Sequence, residues 1–227
     1  MRVVSLVPSA TETLLAWGIA PVACTRFCEQ PSLPAVGGTK DPDVEAIVAL
    51  RPDLVVVDEE ENRREDHDEL VAAGLEVHVL AVRSLVDVDS QLCPLAARVG
   101  AHWEPVGDVR PRPIRGSAFV PIWRRPWMAL GVPTYGSSLL AALGIENVFA
   151  ADPYPEVTLD DARLVHPDVV VAPSEPYPFG ERHRAELERV APVHFVDGKD
   201  LFWWGARTRD AIGRLDAAIG EVRAQPG

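Results

Sequence analysis

The segment that follows a predicted buried strand at Val169–Val171 combines rigid, aromatic and acidic side chains. It reads SEPYPF, so that Glu175 supplies a charge while Tyr177 and Phe179 supply flat apolar surface. Its prolines restrict the backbone. A restricted loop loses little conformational entropy when a ligand binds to it. The segment therefore favours recognition of a ligand that is large, flat and partly apolar.

Four of the six tryptophans lie in two further predicted loop regions. One region, IWRRPWMALG, is predicted to form a strand, a turn and a second strand; the other is DGKDLFWWGARTRD. These tryptophans are Trp123, Trp127, Trp203 and Trp204. Two adjacent tryptophans cannot both point inward from one strand, so Trp203 or Trp204 is expected to face a cavity or solvent. For any one of them, core packing is the alternative.

Histidine and cysteine are the residue types to test for metal binding. The six histidines form no HExxH pattern, and there is no CxxC pair. His67 and His183 are expected on polar, solvated helix faces. Cys24-x-x-x-Cys28 is a weak metal signal; the two thiols could also pair, although three cysteines define no disulfide framework. We predict no metal site, and Cys28 is of interest because it falls in a loop, with a plain buried thiol as the alternative.

Sequence signatures of catalysis are also missing. Ser137 and Ser138 lack the GxSxG pattern of a nucleophile elbow. The GGTK segment lacks the spacing of a phosphate-binding loop, and no GxGxxG pattern follows a strand. The sequence therefore predicts no catalytic residue and no enzyme.

The elements that must position these side chains alternate between strand and helix. Strands are predicted near 2–7, 20–24, 54–57, 76–80, 115–121, 127–130, 168–171 and 193–196. Helices are predicted near 9–17, 43–50, 61–73, 84–98, 135–143, 158–165, 180–190 and 206–223. A strand that leads through a helix to a neighbouring strand is typical of parallel sheets.

The two halves of this pattern resemble each other. ALRPDLVVV, which ends at Val57, matches LVHPDVVV, which ends at Val171, and each is followed by a charged helical segment and another strand. The segment GAHWEPVGDVRPRPIRG between the halves is rich in proline and glycine, as domain boundaries often are. We predict an α/β fold of two related lobes with mostly parallel sheets that face each other across a cleft. The limits are 1–99 for the first lobe, 100–114 for the linker and 115–227 for the second lobe.

Ligands of parallel α/β sheets bind beyond the carboxyl ends of the strands. The SEPYPF loop occupies that position in the second lobe. In the first lobe the segment VPSATE brings a helix N-terminus there, and Ser9 with Glu12 is predicted to form a capping box. A cleft between the lobes would collect both sets of residues.

Composition restricts the partners. The chain has 227 residues and a formal net charge of −12, so phosphate backbones would repel it and nucleic acid is not expected as a partner. Its apolar runs are too short to cross a bilayer. Pro8, Ser9 and the polar residues after them interrupt the apolar core that a signal peptide needs. The chain as written is expected to be cytoplasmic; the alternative is an extracytoplasmic protein whose start has been truncated.

Several segments carry a family resemblance. RVVSLVPSATETLLAWG, TRFCEQP and ALRPDLVVV resemble the substrate-binding proteins that serve ABC importers for vitamin B12, iron siderophores and haem. One branch, the helical backbone metal receptors that are often labelled cobalamin-binding, is similar in IWRRPWMALG, ENVFA, YPEVTLDD, SEPYPF and DGKDLFWWGAR. The resemblance covers nearly the whole chain. It implies a monomer that binds a corrinoid, haem or ferric siderophore in the cleft, without a covalent cofactor, with an ABC permease as partner.

The resemblance also implies site residues. The family's ligand-facing loops correspond to Pro8, Ser9, Cys28, Gly38, Thr39, the segment from Trp123 to Trp127, Tyr177, Trp203 and Trp204. Arg124 or Arg125 would meet ligand carboxylates, and the acidic SEPYPF loop adds Glu175 and Phe179. Acidic residues that dock onto permease arginines correspond loosely to Glu65, Asp66 and Glu181.

One departure from the family concerns the connection. Relatives join their lobes by a long helix, which needs about 20 residues to span 30 Å. Here Pro105, Pro111 and Pro113 interrupt the short segment between the lobes. We therefore predict a shortened linker, or a helix near 84–98 in its place.

Two other functions fit the same fold. A cytoplasmic enzyme that processes such a chelate would use Cys28, Ser9 or Glu175 as nucleophile or base. A scaffold or interaction protein would result if the short linker closed the lobes on each other.

Overall fold

A computed structural model describes residues 1–220 and residue 222. Its internal contacts divide the chain into two compact units. Unit 1 contains residues 1–82, 87–105 and 204–206, and unit 2 contains residues 83–86, 106–203 and the described residues from 207 onward. Residues 100–115 form neither helix nor strand. The domain limits given above stay a prediction.

Unit 1 is built on a four-stranded parallel sheet. Its strands are β1 (Val3–Ser5), β2 (Ala23–Cys24), β3 (Leu54–Asp58) and β4 (Val77–Leu80). They lie in the order β2-β1-β3-β4. The two inner strands are buried along their whole length, which explains why they are continuous runs of apolar residues with little alternation.

The main helices of the first half are α1 (Pro8–Ala16), α2 (Val44–Leu50), α3 (Arg64–Ala72) and α4 (Leu85–Val99). A short 3₁₀ turn covers Arg26–Cys28. The capping box predicted at Ser9 and Glu12 is wrong, because α1 begins one residue earlier than expected, at Pro8, with Val7 as the N-cap. Proline suits the first helical position, since its fixed φ and missing N–H cost nothing there. Ser9 therefore lies inside the first turn, where its carbonyl accepts a hydrogen bond from the Thr13 hydroxyl.

Unit 2 contains a second four-stranded parallel sheet. Its strands are β5 (Gly116–Phe119), β8 (Ile145–Asn147), β9 (Val169–Pro173) and β10 (Val193–Val196), in the order β8-β5-β9-β10. Between β5 and β8 the chain forms an antiparallel hairpin of β6 (Pro121–Arg124) and β7 (Trp127–Ala129). This hairpin is the strand-turn-strand unit predicted from the sequence. The strand predicted at 115–121 is shorter, however, because Pro121 belongs to the hairpin. The strand predicted at 127–130 pairs with β6, and Met128 also forms an isolated antiparallel bridge to Glu156.

The helices of unit 2 are α5 (Tyr135–Ala142), α6 (Leu159–Leu164), α7 (Arg184–Leu187), α8 (Gly198–Phe202) and α9 (Thr208–Ile219). The helix predicted at 180–190 is instead a 3₁₀ turn, Glu181–His183, followed by the short α7. The helix predicted at 206–223 is α9, and positions 221 and 223 of that prediction lie outside the described residues. The short elements β8 and α8 were not predicted.

The two sheets share one topology. In each, the first strand in sequence lies between the second and the third, and the fourth follows the third. The strands that end the two matching sequence segments, β3 and β9, occupy the same third position. The prediction of an α/β fold with two related, mostly parallel sheets is confirmed.

Candidate functional site

The carboxyl end of β9 carries a cluster of aromatic rings. Tyr177 contacts Trp123 of the hairpin edge to face, with ring centroids 5.7 Å apart, and Phe179 at 4.7 Å. Phe179 in turn stacks on Trp127, 5.9 Å away and within 8° of parallel. The structure therefore brings together four of the predicted site residues, two from β6 and β7 and two from the SEPYPF loop.

The rings differ in exposure. Trp123 is 43% exposed and Tyr177 is half-buried, whereas Phe179 is buried in the core. The difference follows from strand geometry, since neighbouring side chains point to opposite faces and Ile122 takes the buried face of β6. Phe179 and Trp127 thus support an outer aromatic surface made by Trp123 and Tyr177. We call these four residues the aromatic cluster.

An ion pair between β6 and α7 lies next to the aromatic cluster. Arg124 donates to Glu186 of α7 through Nε at 3.0 Å and Nη2 at 2.9 Å. Burial acts to lower the pKa of Arg124, but the bond to Glu186, followed by the nearby Tyr177, raises it above its ordinary value. Arg124 therefore ties β6 to α7 and places a positive charge near the phenol.

His183 is a site residue whose environment the sequence reading missed. The expectation of a solvated helix face is wrong, because His183 is 5% exposed and its ring lies 5.5 Å from those of Tyr177 and Phe179. Its Nδ1 accepts a hydrogen bond from the Gly180 backbone N–H at 3.2 Å. Burial, followed by the charges of Arg182 and Arg124, lowers the pKa of His183. The available signal was its place three residues after Gly180, where a side chain can reach back to the start of a helical turn.

Glu175 lies in the same loop and is half-buried. The loop passes so close to α8 that a Cβ at Gly198 would lie 2.5 Å from the Glu175 Cγ and 2.6 Å from its backbone nitrogen. Gly198 is therefore required for this close approach. The loop is fixed on one side by α8 and on the other by His183.

The adjacent tryptophans are separated by the fold. Trp204 is 4% exposed and groups with unit 1, whereas Trp203 is half-buried and belongs to unit 2. The cations of Lys199 and Arg207 lie 4.9 and 5.4 Å from the centre of the Trp203 ring. Trp203 is therefore the member of this pair with an accessible, positively charged neighbourhood.

Unit 1 holds the remaining predicted ligand residues at the carboxyl edge of its sheet. Ser9, Cys28, Gly38 and Thr39 are all buried, and Pro8 is half-buried. A Cβ at Gly38 would collide with the side chains of Asp41 and Arg26, which form an ion pair across this turn. The backbone carbonyl of Thr39 accepts from Asn62 at 2.9 Å. These residues form a packed polar edge, and their role as ligand contacts stays a prediction.

The predicted docking residues also differ from one another. Asp66 is 5% exposed and forms an ion pair with Arg63 at 2.7 Å, whereas Glu65 is exposed. Glu181 is exposed, but both of its carboxylate oxygens accept from Arg184 at 2.7 Å. Hydrogen bonds from Arg184 lower the pKa of Glu181. Glu65 is therefore the member of this set whose charge is most available to a partner.

Two kinds of feature are absent from the part of the chain that the structure describes. No group of three or more His, Cys, Asp and Glu residues is arranged to hold a metal ion there. None of the helices described is long and apolar enough to cross a membrane.

Comparison with known sequences finds a related family and several curated relatives. Residues 3–103 match the sequence profile of a family described as periplasmic binding protein. The match covers slightly less than half of the chain. Curated relatives include a vitamin B12-binding protein of Salmonella choleraesuis, 26% identical over 194 residues, which cover 75% of this chain and 71% of that protein. A vitamin B12-binding protein of Yersinia pestis is 27% identical over 191 residues, covering 75% and 68%.

Solved structures show the same fold. A periplasmic vitamin B12 binding protein of Vibrio cholerae superimposes with a TM-score of 0.75 at 20% identity, covering 96% of each chain. A periplasmic haem binding protein from Pseudomonas aeruginosa gives a TM-score of 0.76 at 22% identity, covering 96% of this chain and 91% of the other. The relatives are binding proteins by name, which agrees with the prediction from the sequence that this chain is a binding protein and not an enzyme. The same relatives give no support to the expectation of a cytoplasmic location.

Proposed function

We propose that the aromatic cluster of unit 2 recognises a large, flat metal chelate, namely a corrinoid, a haem or a ferric siderophore. The observation that carries this proposal is the half-open pair of Trp123 and Tyr177, supported from beneath by Phe179 and Trp127. Such a surface is ordered before the ligand arrives, so binding costs little side-chain entropy. The names of the relatives, which bind vitamin B12 or haem, support this ligand class.

Stacking, rather than charge, is proposed as the main source of affinity. Arg124 was expected to meet ligand carboxylates, but it is already paired with Glu186, so its charge is largely compensated. Lys199, whose ammonium lies beside the Trp203 ring, is the cation that we propose for acidic groups of the ligand. Glu175 and Phe179 are proposed to shape the site from behind its surface.

We also propose that the protein works outside the cytoplasm and delivers its ligand to an ABC permease. The family name and the vitamin B12-binding relatives support this role. Glu65 and Glu181 are the proposed contacts for permease arginines, and Asp66 is proposed to stabilise α3 through Arg63.

A titration tests the ligand class. Purified protein is mixed with cyanocobalamin, haemin and a ferric siderophore in separate experiments, and binding is followed by absorbance and by calorimetry. Metal-free protoporphyrin serves as the control for non-specific stacking. We expect saturable binding of one metal chelate with a changed absorption spectrum. The proposal fails if none of the three gives a spectral or calorimetric change.

A further inference from the structure

His183 makes a reciprocal pair of hydrogen bonds with the residue that follows the SEPYPF loop of unit 2. Its backbone N–H donates to the Gly180 carbonyl at 2.8 Å, and its ring Nδ1 accepts from the Gly180 N–H at 3.2 Å. Gly180 directly follows Phe179, whose own N–H donates to the Tyr177 carbonyl at 2.8 Å. The imidazole therefore holds the backbone of the segment that carries two rings of the aromatic cluster.

The imidazole ring also packs against those two rings. Its centroid lies 5.5 Å from the rings of Tyr177 and Phe179, at interplanar angles of 60° and 75°. Since His183 is buried, water does not readily replace the acceptor that its ring offers to Gly180. A change in the state of His183 therefore acts directly on the position of the cluster.

Both ring nitrogens of His183 face donors. The Arg182 Nε–H points at Nε2 from 3.3 Å, while the Gly180 N–H points at Nδ1. A neutral imidazole has only one acceptor nitrogen, so only one of the two contacts is a hydrogen bond. Arg182 is exposed and its side chain can turn away, whereas the Gly180 N–H is fixed by the backbone. Nδ1 is therefore the acceptor, and Nε2 carries the proton.

A second proton on His183 would have to enter at Nδ1, where the Gly180 N–H points. The charged groups that act on the ring are Arg182 of the same turn, Arg124 of β6 and Glu186 of α7, and the titratable phenol beside it is that of Tyr177. Two cations against one carboxylate oppose a positive imidazole. Burial, followed by the charges of the two arginines, accordingly lowers the pKa of His183. The ring is therefore neutral at neutral pH, and its protonation breaks the bond from Gly180.

We infer that His183 is a positioning residue of the aromatic cluster, and that acidification releases the SEPYPF loop and with it the bound chelate. The release of the chelate rests on the proposed function, whereas the movement of the loop requires no ligand. In the protonated ring both nitrogens are donors, so the Gly180 N–H loses its acceptor. The imidazolium also repels Arg124 beside the cluster, and Tyr177 and Phe179 lose the ring that packs against them.

The first test uses the ligand-free protein. Near-ultraviolet circular dichroism, which reports the packing of aromatic rings, is recorded together with the far-ultraviolet spectrum from about pH 8 to about pH 5. We expect the native chain to lose near-ultraviolet signal below the ordinary histidine value of 6.5, with its far-ultraviolet spectrum unchanged. His183→Asn should keep its signal, because its amide oxygen can accept from the Gly180 N–H and does not titrate. The same acid-induced change in both proteins would overturn the inference.

The second test measures affinity for the chelate that binds in the titration described above. Between about pH 8 and about pH 5 the native affinity should fall by roughly tenfold, because protonation removes the binding-competent form. His183→Asn should bind equally at both pH values, and more tightly than His183→Leu, which has no acceptor for the Gly180 N–H. The native pH dependence in His183→Asn would overturn the inference.

His166→Asn is the matched control, since it replaces an exposed histidine of unit 2 whose φ of 49° also suits asparagine. It should keep the native pH dependence in both tests. If no chelate binds to any of these proteins, the proposed function fails and the ligand-free spectra alone decide the inference. Should His183→Asn fail to fold, nitrogen NMR of the native chain decides it: the His183 ring must carry its proton on Nε2 at neutral pH, and a proton on Nδ1 overturns the inference.

Discussion

The carboxyl ends of β3 and β9 occupy the same position in two sheets of the same topology, yet polar groups surround one and aromatic side chains surround the other. In unit 1, β3 ends in Asp58, whose Oδ1 accepts from the backbone N–H groups of Glu60 and Glu61. Asn62 continues this network to the carbonyls of Leu6 and Thr39. In unit 2, β9 ends in Pro173, and the loop that follows carries Tyr177 and Phe179. The polar groups at the end of β3 hydrogen-bond to one another and to nearby backbone, whereas the loop after β9 leaves part of an aromatic surface exposed.

A shared sheet topology therefore determines where a loop leaves the sheet, but it does not determine which side chains that loop carries. The hairpin of β6 and β7 exists in unit 2 only among the elements described, and it supplies half of the aromatic cluster. Recognition is therefore expected to depend mainly on unit 2. The predictions that follow test each side of this contrast.

The largest effect is expected at Asp200 in unit 2. This carboxylate is 3% exposed and accepts from Arg214 at 2.6 Å and from Arg207 at 2.9 Å. Replacing it in Asp200→Asn leaves two arginines with an uncompensated charge, so the free energy of unfolding should fall by about 3 kcal/mol. Urea denaturation at neutral pH measures the loss. Asp210→Asn, at an exposed position of α9, should change the stability little.

An effect of opposite sign is expected at Asp58 in unit 1. Burial raises the pKa of Asp58 to about 6, and its Oδ2 has no hydrogen-bond partner among the described residues. Because the folded form holds its proton more tightly than the unfolded form, stability should fall as pH rises from about 4 to about 6, and stay lower above that. Asp58→Asn keeps the acceptor for the turn and removes the charge.

The measurement for Asp58 compares denaturation at pH 5 and pH 8. At pH 8 the Asp58→Asn variant should be more stable than the native chain by on the order of 2 kcal/mol, and the difference should shrink at pH 5. Asp200 provides the contrast, since hydrogen bonds from Arg214 lower its pKa and its contribution is lost as pH falls below the unfolded value near 3.8. Equal pH profiles of stability for Asp58→Asn and Asp200→Asn would contradict the opposite signs expected for these two carboxylates.

A smaller effect is expected at Arg124. Arg124→Met removes the cation near Tyr177 and the partner of Glu186, and a charge-assisted hydrogen bond contributes about 1.5 kcal/mol. Affinity for the chelate should therefore fall by roughly tenfold. Arg125→Met, at the exposed neighbouring position, is the matched control and should bind normally. Identical losses in the two variants would mean that general charge, and not the position of Tyr177, determines affinity.

The smallest effect is expected at the proposed docking residues. Exposed charges contribute about 0.2–1 kcal/mol each, and Glu181 is already paired with Arg184. Glu65→Lys should therefore weaken binding to the reconstituted permease more than Glu181→Lys does, with ligand affinity unchanged in both. Surface binding measurements at low and high salt check this order. The reverse order would show that Arg184 releases Glu181 when the partner arrives.

Strands and helices were largely predictable because their signals are local. The valine runs of β3 and β9 and the paired tryptophans of the hairpin are visible in any short window of sequence. The burial of His183 and Asp58 was not, since it depends on which distant rings and backbone groups pack over them. Trp204 shows the same limit: its neighbour Trp203 groups with unit 2, while Trp204 itself groups with unit 1. The predicted start of α1 was one residue too late, because the polar residues after Pro8 also fit a capping pattern.

Ligand titration of a single ring variant tests the central claim most directly. Trp123→Ala is compared with Tyr154→Ala, which removes another exposed aromatic ring of unit 2, 37% exposed against 43% for Trp123. Loss of a stacking partner of about 1.5 kcal/mol should weaken chelate binding by at least roughly tenfold in Trp123→Ala, with unchanged stability, while Tyr154→Ala binds as the native chain does. Native affinity in Trp123→Ala would contradict the assignment of recognition to the aromatic cluster.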